Sequence, residues 1–86
     1  MGDAFGEITE RLRRVTVQVL AGRGSRGSGL VWSGDGRVVT NAHVVEGSHV
    51  RVELWNGRRI EAGVRKTDRR RDLAELHVDA DALRAP

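Results

Sequence analysis

Six short stretches rich in valine, leucine and isoleucine recur along this chain, and most of the gaps between them carry glycine or asparagine. Residues 15–20, Val-Thr-Val-Gln-Val-Leu, alternate apolar and polar side chains at the period of a strand with one buried face. Residues 49–55 repeat the pattern and put Val50, Val52 and Leu54 on one side. Residues 30–32 and 37–40 flank Ser33-Gly34-Asp35-Gly36, a hairpin turn by composition. Asp35 is expected there for local hydrogen bonding. Asn56-Gly57, both tolerant of positive φ, predicts a second hairpin into residues 59–66, where Gly63 marks a bulge that helps the sheet curl. After a basic loop at 67–71, Asp72 opens a last strand that runs to about Val78. Strands this short, joined by turns with no long helix between them, predict an all-β fold, a six-stranded antiparallel β-barrel.

Composition agrees. At 86 residues the chain holds one domain at most. Its only aromatic residues are Phe5, Trp32 and Trp55, so the core must be built from Val, Leu and Ile, which favour strands. Eleven glycines against a single proline fit many tight turns. Without cysteine there are no disulfides. Ahead of the barrel, Asp3 can cap a short helix over about 4–13, with Phe5, Ile8 and Leu12 on one face. The organisation expected is therefore an N-terminal amphipathic helix in 1–14, the barrel in 15–78, and the start of an interdomain linker in 79–86. No run is long enough to span a bilayer, and the N-terminus lacks the apolar core of a secretory signal. If Met1 is the natural start, the cytoplasm is the expected compartment.

Chemistry concentrates between residues 37 and 47. The strand ends at Thr40, and a short helical turn fits 42–46, capped by Asn41 and stopped by Gly47. His43 is thus anchored in its backbone at a strand–turn seam while its ring can face a cleft. Taken alone, a histidine so placed is more often a capping or core residue than a base. With Asp72 at the head of another strand, it supplies two of the three groups of a Ser-His-Asp triad. None of Ser25, Ser28, Ser33 or Ser48 lies in the strand-to-helix elbow that exposes a nucleophile. His49 and His77 are expected to pair with surface carboxylates. The three histidines lack metal-ligand spacing, so neither metal nor cofactor is expected. Asp68, in the basic loop, is the weaker alternative to Asp72.

Three ordered motifs carry a family resemblance. Thr40-Asn41-Ala42-His43-Val44-Val45 resembles the histidine motif of trypsin-like serine proteases, especially the HtrA/DegP type. Ser25-Arg26-Gly27-Ser28-Gly29-Leu30-Val31 is similar to their Gly-Ser-Gly strand, and Arg71-Asp72-Leu73-Ala74-Glu75-Leu76 to their aspartate strand. The resemblance covers roughly residues 15–80 and implies the N-terminal half of a double barrel. It implies His43 as general base and acid, Asp72 as the carboxylate that orients it, and peptide or protein as substrate. The nucleophile, oxyanion hole and specificity pocket would lie in a C-terminal barrel, since nothing here matches Gly-Asn-Ser-Gly-Gly; these residues alone would then be inactive. The face meeting that second barrel would present an apolar patch beside His43 and favour self-association. Export is common in the HtrA type, which implies an extracytoplasmic location if a signal has been removed.

Two other readings use different residues. Arg58, Arg59, Arg65, Lys66, Arg69, Arg70 and Arg71 crowd one region of a chain with net charge +3. Such a run is most simply a solvated face. The alternative is a non-catalytic basic barrel that binds an acidic protein or, less readily, nucleic acid; the scarcity of aromatics speaks against a reader of single strands. A pseudoprotease scaffold would keep the fold without the hydrolysis.

Overall fold

The computed structural model describes residues 6–7, 15–45 and 50–84 of the chain. Strands β1 (Thr16–Ala21), β2 (Arg26–Ser33), β3 (Arg37–Thr40), β4 (Val50–Glu53), β5 (Arg59–Asp68) and β6 (Leu73–His77) close into a barrel in the order β1-β2-β3-β6-β5-β4. Every neighbouring pair is antiparallel. This is the barrel that the alternating pattern predicts. The helix expected over 4–13 lies almost wholly outside the described residues, of which Gly6 and Glu7 are helical. No helix among the described residues is long and apolar enough to cross a membrane.

The alternation works as a sorting rule. Val17 and Val19 of β1, Val38 of β3, Val50 and Val52 of β4, and Leu76 of β6 all point inward and are buried. Their neighbours Gln18, Arg51 and His77 stay exposed. The largest fully buried side chains are Leu76, Val19, Val38, Val50, Val52 and Val78, so the interior is aliphatic and β-branched as the composition requires. Such side chains lose little χ1 freedom on packing.

The expected hairpin at Asn56-Gly57 joins β4 to β5, with Gly57 alone left-handed, at φ 85°. Gly57 N–H donates to the Leu54 carbonyl at 2.9 Å and Leu54 N–H to the Arg58 carbonyl at 2.7 Å. The connection is therefore a turn over residues 54–57 ending in a left-handed glycine, the geometry of a three-residue hairpin loop. The β5 bulge falls between Val64 and Lys66, two residues beyond the expected Gly63, which pairs in register with His77. A second irregularity separates Val31 from Ser33 in β2. In the Ser33–Gly36 turn the Ser33 hydroxyl donates to Asp35, and that bond is the main cause holding the Asp35 carboxyl below the usual aspartate range.

Beyond β6, within the 79–86 segment expected to start an interdomain linker, helix α1 (Ala80–Arg84) forms. Asp79 Oδ1 accepts the amides of Asp81 (2.8 Å) and Ala82 (3.3 Å), which caps its first turn. Leu83 packs against the core, and Arg58 Nη1 donates to the Ala82 carbonyl at 3.0 Å.

Candidate functional site

Strand register alone brings the two ends of the site together. Thr40, the last residue of β3, pairs with Ala74 of β6. Continuing that antiparallel register past the strand ends lays the chain after Thr40 alongside Asp72. Thr40 is buried, and its hydroxyl donates to the Ser28 carbonyl at 2.7 Å, tying the end of β3 to β2. This tie was not foreseen, although a threonine at an inward strand position signals a hydroxyl that must find a partner.

The turn after Thr40 is a 3₁₀ turn over Ala42–Val44, shorter than the expected helical turn over 42–46. Its cap is also different. The Asn41 side chain accepts no amide of this turn; its Nδ2 donates to the Asp72 carbonyl at 3.0 Å. The amide of His43 is instead satisfied by Asp72 Oδ1 at 2.8 Å. A residue twenty-nine positions away does the capping, which no local motif could reveal. Gly47 and His49 lie outside the described residues.

Ala42, Val44 and Val45 are buried and pin the turn to the core, while His43 faces outward. Gly27 of β2 lies beneath Val44: a Cβ there would sit 2.5 Å from Val44 Cγ2 and 3.0 Å from Cγ1. Gly27→Ala should therefore cost about 1–3 kcal/mol, as over-packed sites do, and push the turn that carries His43. Urea unfolding checks the cost, and the His43 ring resonances in an NMR spectrum check the displacement. An unchanged midpoint with unmoved resonances would mean Val44 yields freely.

Asp72 grips the turn twice. Beside the bond to the His43 amide, its Oδ2 lies 2.7 Å from His43 Nδ1. An ionised carboxylate only accepts hydrogen bonds, so Nδ1 carries the hydrogen and the neutral ring keeps its lone pair on Nε2. Nε2 has no hydrogen-bond partner among the described residues, and the His43 side chain is 70% exposed. Asp72 itself adopts φ 55°, the left-handed region that side-chain-bearing residues seldom occupy and that Asp and Asn tolerate best. Three hydrogen bonds, two through its carboxylate and one through its carbonyl, hold it in that conformation.

The same bonds set its ionisation. The His43 amide first, then the His43 ring, holds the Asp72 carboxyl below the ordinary aspartate value. A depressed pKa stabilises the folded state above the unfolded carboxyl's value of about 3.9, and the contribution is lost as pH falls through the lower folded value. The stability gap between the wild type and Asp72→Asn should thus narrow below about pH 4. Urea unfolding at neutral and acidic pH measures it; a gap independent of pH would remove the linkage.

The remaining candidates separate from this pair. Asp68 accepts the Arg71 amide at 3.1 Å and lies 3.9 Å from the Arg71 guanidinium, so it shapes the β5–β6 turn. His77 is exposed at the far end of β6, in register with Arg37 and Gly63. Ser33 is engaged with Asp35, and the Ser25 and Ser28 carbonyls serve Ala21 N–H and Thr40. Ser48 lies outside the described residues. The basic run is not one patch: Arg59 pairs with Glu53 at 3.1 Å, and Arg58 turns to α1.

A closed six-stranded antiparallel barrel with a histidine turn beside an aspartate strand defines the trypsin-like class. Residues 27–86 match the family described as "Trypsin-like peptidase domain". The chain is 48% identical over 62 residues to a probable periplasmic serine endoprotease, DegP-like, of Halomonas elongata, covering 71% of this chain and 13% of that one. It is 47% identical over 55 residues to serine protease HTRA1B of Danio rerio, covering 63% of this chain and 12% of that protein. The crystal structure of the serine endoprotease from Yersinia pestis superposes with a TM-score of 0.81 at 31% identity, over 88% of this chain and 29% of that one. The chain belongs to the trypsin-like peptidase family and is of the HtrA/DegP type. It spans 12–13% of the length of these two curated relatives.

Proposed function

We propose that these residues are the half of a serine endopeptidase that supplies His43 as general base and acid and Asp72 as its orienting carboxylate. The serine and the oxyanion donors come from a second barrel outside these 86 residues, and the substrate is a protein or peptide. The observation that carries this is the double grip of Asp72 on His43, through the amide at 2.8 Å and Nδ1 at 2.7 Å. It fixes the tautomer that leaves Nε2 free to take a proton from a hydroxyl. The general acid step follows from the same geometry, because the imidazolium formed faces the ionised carboxylate and can return its proton from Nε2 to a leaving amine.

The outer face of β2, β3 and β6 supports a second barrel on this side. Leu30 is 48% exposed and pairs with Val39, and Leu73, directly after Asp72, is 45% exposed. Val39, Leu73 and Ala74, together with Lys66, Thr67, Asp68 and Glu75, line a shallow hollow of about 480 Å³ there. An apolar surface of this kind favours burial against a partner, or against another copy when the partner is missing.

The test is an active-site-directed fluorophosphonate applied to the protein expressed from its full natural reading frame. Labelling should fall on one serine outside residues 1–86 and should disappear in His43→Ala. Labelling that is absent, or that ignores His43, overturns the proposal.

A further inference from the structure

The turn that carries Asp72 is also the most concentrated positive charge on the chain. Residues 68–72 read Asp-Arg-Arg-Arg-Asp. Both acids are already committed: Asp72 to the His43 amide and ring, Asp68 to the Arg71 amide and, more distantly, to its guanidinium. Neither carboxylate is left to neutralise Arg69 or Arg70, which are exposed and whose side chains make no hydrogen bond or ion pair among the described residues. Three other arginines of the barrel are matched, Arg51 with Glu61 at 3.2 Å, Arg59 with Glu53 at 3.1 Å and Arg37 with Glu75 at 3.7 Å. Arg65 and Lys66, exposed on β5 just before this turn, are unmatched among the described residues and add to its positive charge; Arg26 on β2 is the other exposed arginine without a side-chain partner there.

That turn cannot drift away from His43. Asp72 N–H closes it on the Arg69 carbonyl at 3.3 Å, and three hydrogen bonds join Asp72 to Asn41 and His43. Arg69 and Arg70 are therefore held within one β-turn of the carboxylate that orients the histidine. Their guanidinium groups carry planar donors that fit a carboxylate.

We propose that Arg69 and Arg70 select substrates, favouring peptides with an acidic residue within a few positions of the bond that is cut. This rests on the assignment of His43 and Asp72 above and adds a preference that assignment does not contain. An acidic peptide fits better than nucleic acid. Carboxylates beside Arg37, Arg51 and Arg59 interrupt the basic surface a phosphate backbone would follow around the barrel, and no aromatic residue stands in the 67–73 segment to stack a base.

The experiment uses protein from the full natural reading frame. Bonds it cuts in an unfolded protein such as casein are mapped, and the best-cut sequence is remade with Glu, Gln or Lys at each position flanking the bond. At low ionic strength at least one position should show Glu preferred to Gln by about five- to tenfold in kcat/KM, the size expected of two exposed charge contacts acting together. The preference should sit mainly in KM, since the contact is made equally in the ground and transition states. It should shrink toward unity in 0.5 M salt and in Arg69→Ser/Arg70→Ser, and turn toward Lys in Arg69→Glu/Arg70→Glu. Circular dichroism confirms that each variant is folded. Cleavage that needs His43 but shows the same Glu-to-Gln ratio in wild type and variants overturns the selection and leaves the protease assignment standing. Cleavage that survives His43→Ala overturns both. Binding of a DNA duplex or RNA strand that depends on Arg69 and Arg70, without any Glu preference, overturns it in favour of nucleic acid.

Discussion

Replacing His43 with alanine is expected to abolish peptide-bond hydrolysis by the full-length protein, and Asp72→Asn to lower kcat by about 10⁴-fold. The second change is the more informative, because it removes almost nothing sterically. Asparagine has the size of aspartate and is the residue that best shares its tolerance of the left-handed region, where Asp72 sits at φ 55°. Its amide oxygen can still accept the His43 amide, as Asp72 Oδ1 does at 2.8 Å. The difference lies at the other atom. An NH₂ group in place of Oδ2, 2.7 Å from Nδ1, donates where the carboxylate accepted. The ring must then put its lone pair on Nδ1 and its hydrogen on Nε2, so it cannot take the proton of a serine. The charge that would have faced the imidazolium is lost in the same step. A factor of 10⁴ is about 5.4 kcal/mol of transition-state stabilisation, more than any exposed ion pair supplies, and that difference separates a catalytic carboxylate from a structural one. Steady-state kinetics on one peptide substrate decides it. If Asp72→Asn keeps kcat within tenfold of the wild type, Asp72 only holds the turn in place and its catalytic assignment is wrong.

The barrel was legible because it is written in local alternation. Val17 and Val19, Val50 and Val52, and Ala74 and Leu76 each declare an inward face two residues at a time, and six such segments leave little choice of architecture. The hairpins were legible as turns but not as turn types. Asn56-Gly57 satisfies a two-residue loop on paper, yet the loop is closed one residue earlier, between Leu54 and Gly57, and only the glycine takes positive φ. The β5 bulge moved from Gly63 to the 64–66 segment because register across β6 decides where a strand yields, not the weakest residue within it. His43 and Asp72 stand in ordered motifs whose spacing resembles that of the trypsin-like family, and it is that resemblance that singles them out. What spacing could not contain was that Asp72 caps the histidine turn itself and that Asn41, expected to do so, reaches across to the Asp72 carbonyl. Both depend on strands β3 and β6 being neighbours, which is a fact of topology. The helix after β6 was hidden for another reason: five residues carry too little periodicity to announce a helix, and Leu83 is recruited by the open end of the core rather than by its own sequence.

Gly36→Ala is expected to be the most damaging small substitution in the barrel, at about 3 kcal/mol or more, while Gly57→Ala should cost about 1 kcal/mol. The two glycines share a left-handed backbone, with φ 103° and 85°. They differ in what a side chain would meet. Around Gly57 there is nothing within 4 Å, so alanine there bears only the conformational penalty. At Gly36 a Cβ would lie 2.0 Å from the Val78 carbonyl oxygen and 3.1 Å from its carbon. Those are backbone atoms and cannot rotate out of the way. Relieving the overlap means moving the chain after β6 off the β2–β3 turn, which breaks the Val78 N–H bond to the Gly36 carbonyl at 2.8 Å. Val78 is 1% exposed and part of the core, so the displacement also opens the packing beneath it. Strain, a lost hydrogen bond of about 1 kcal/mol and a loosened core side chain act together, against a total stability that for a domain of this size is about 5–15 kcal/mol. Urea midpoints of the two variants against the wild type measure the difference. Because Gly36 immediately precedes β3, the strand that ends at Thr40 beside His43, the same variant should also broaden or shift the His43 ring signals, which Gly57→Ala should leave in place. Equal losses of stability in the two variants would show that positive φ alone, and not the Val78 carbonyl, makes glycine necessary at this turn.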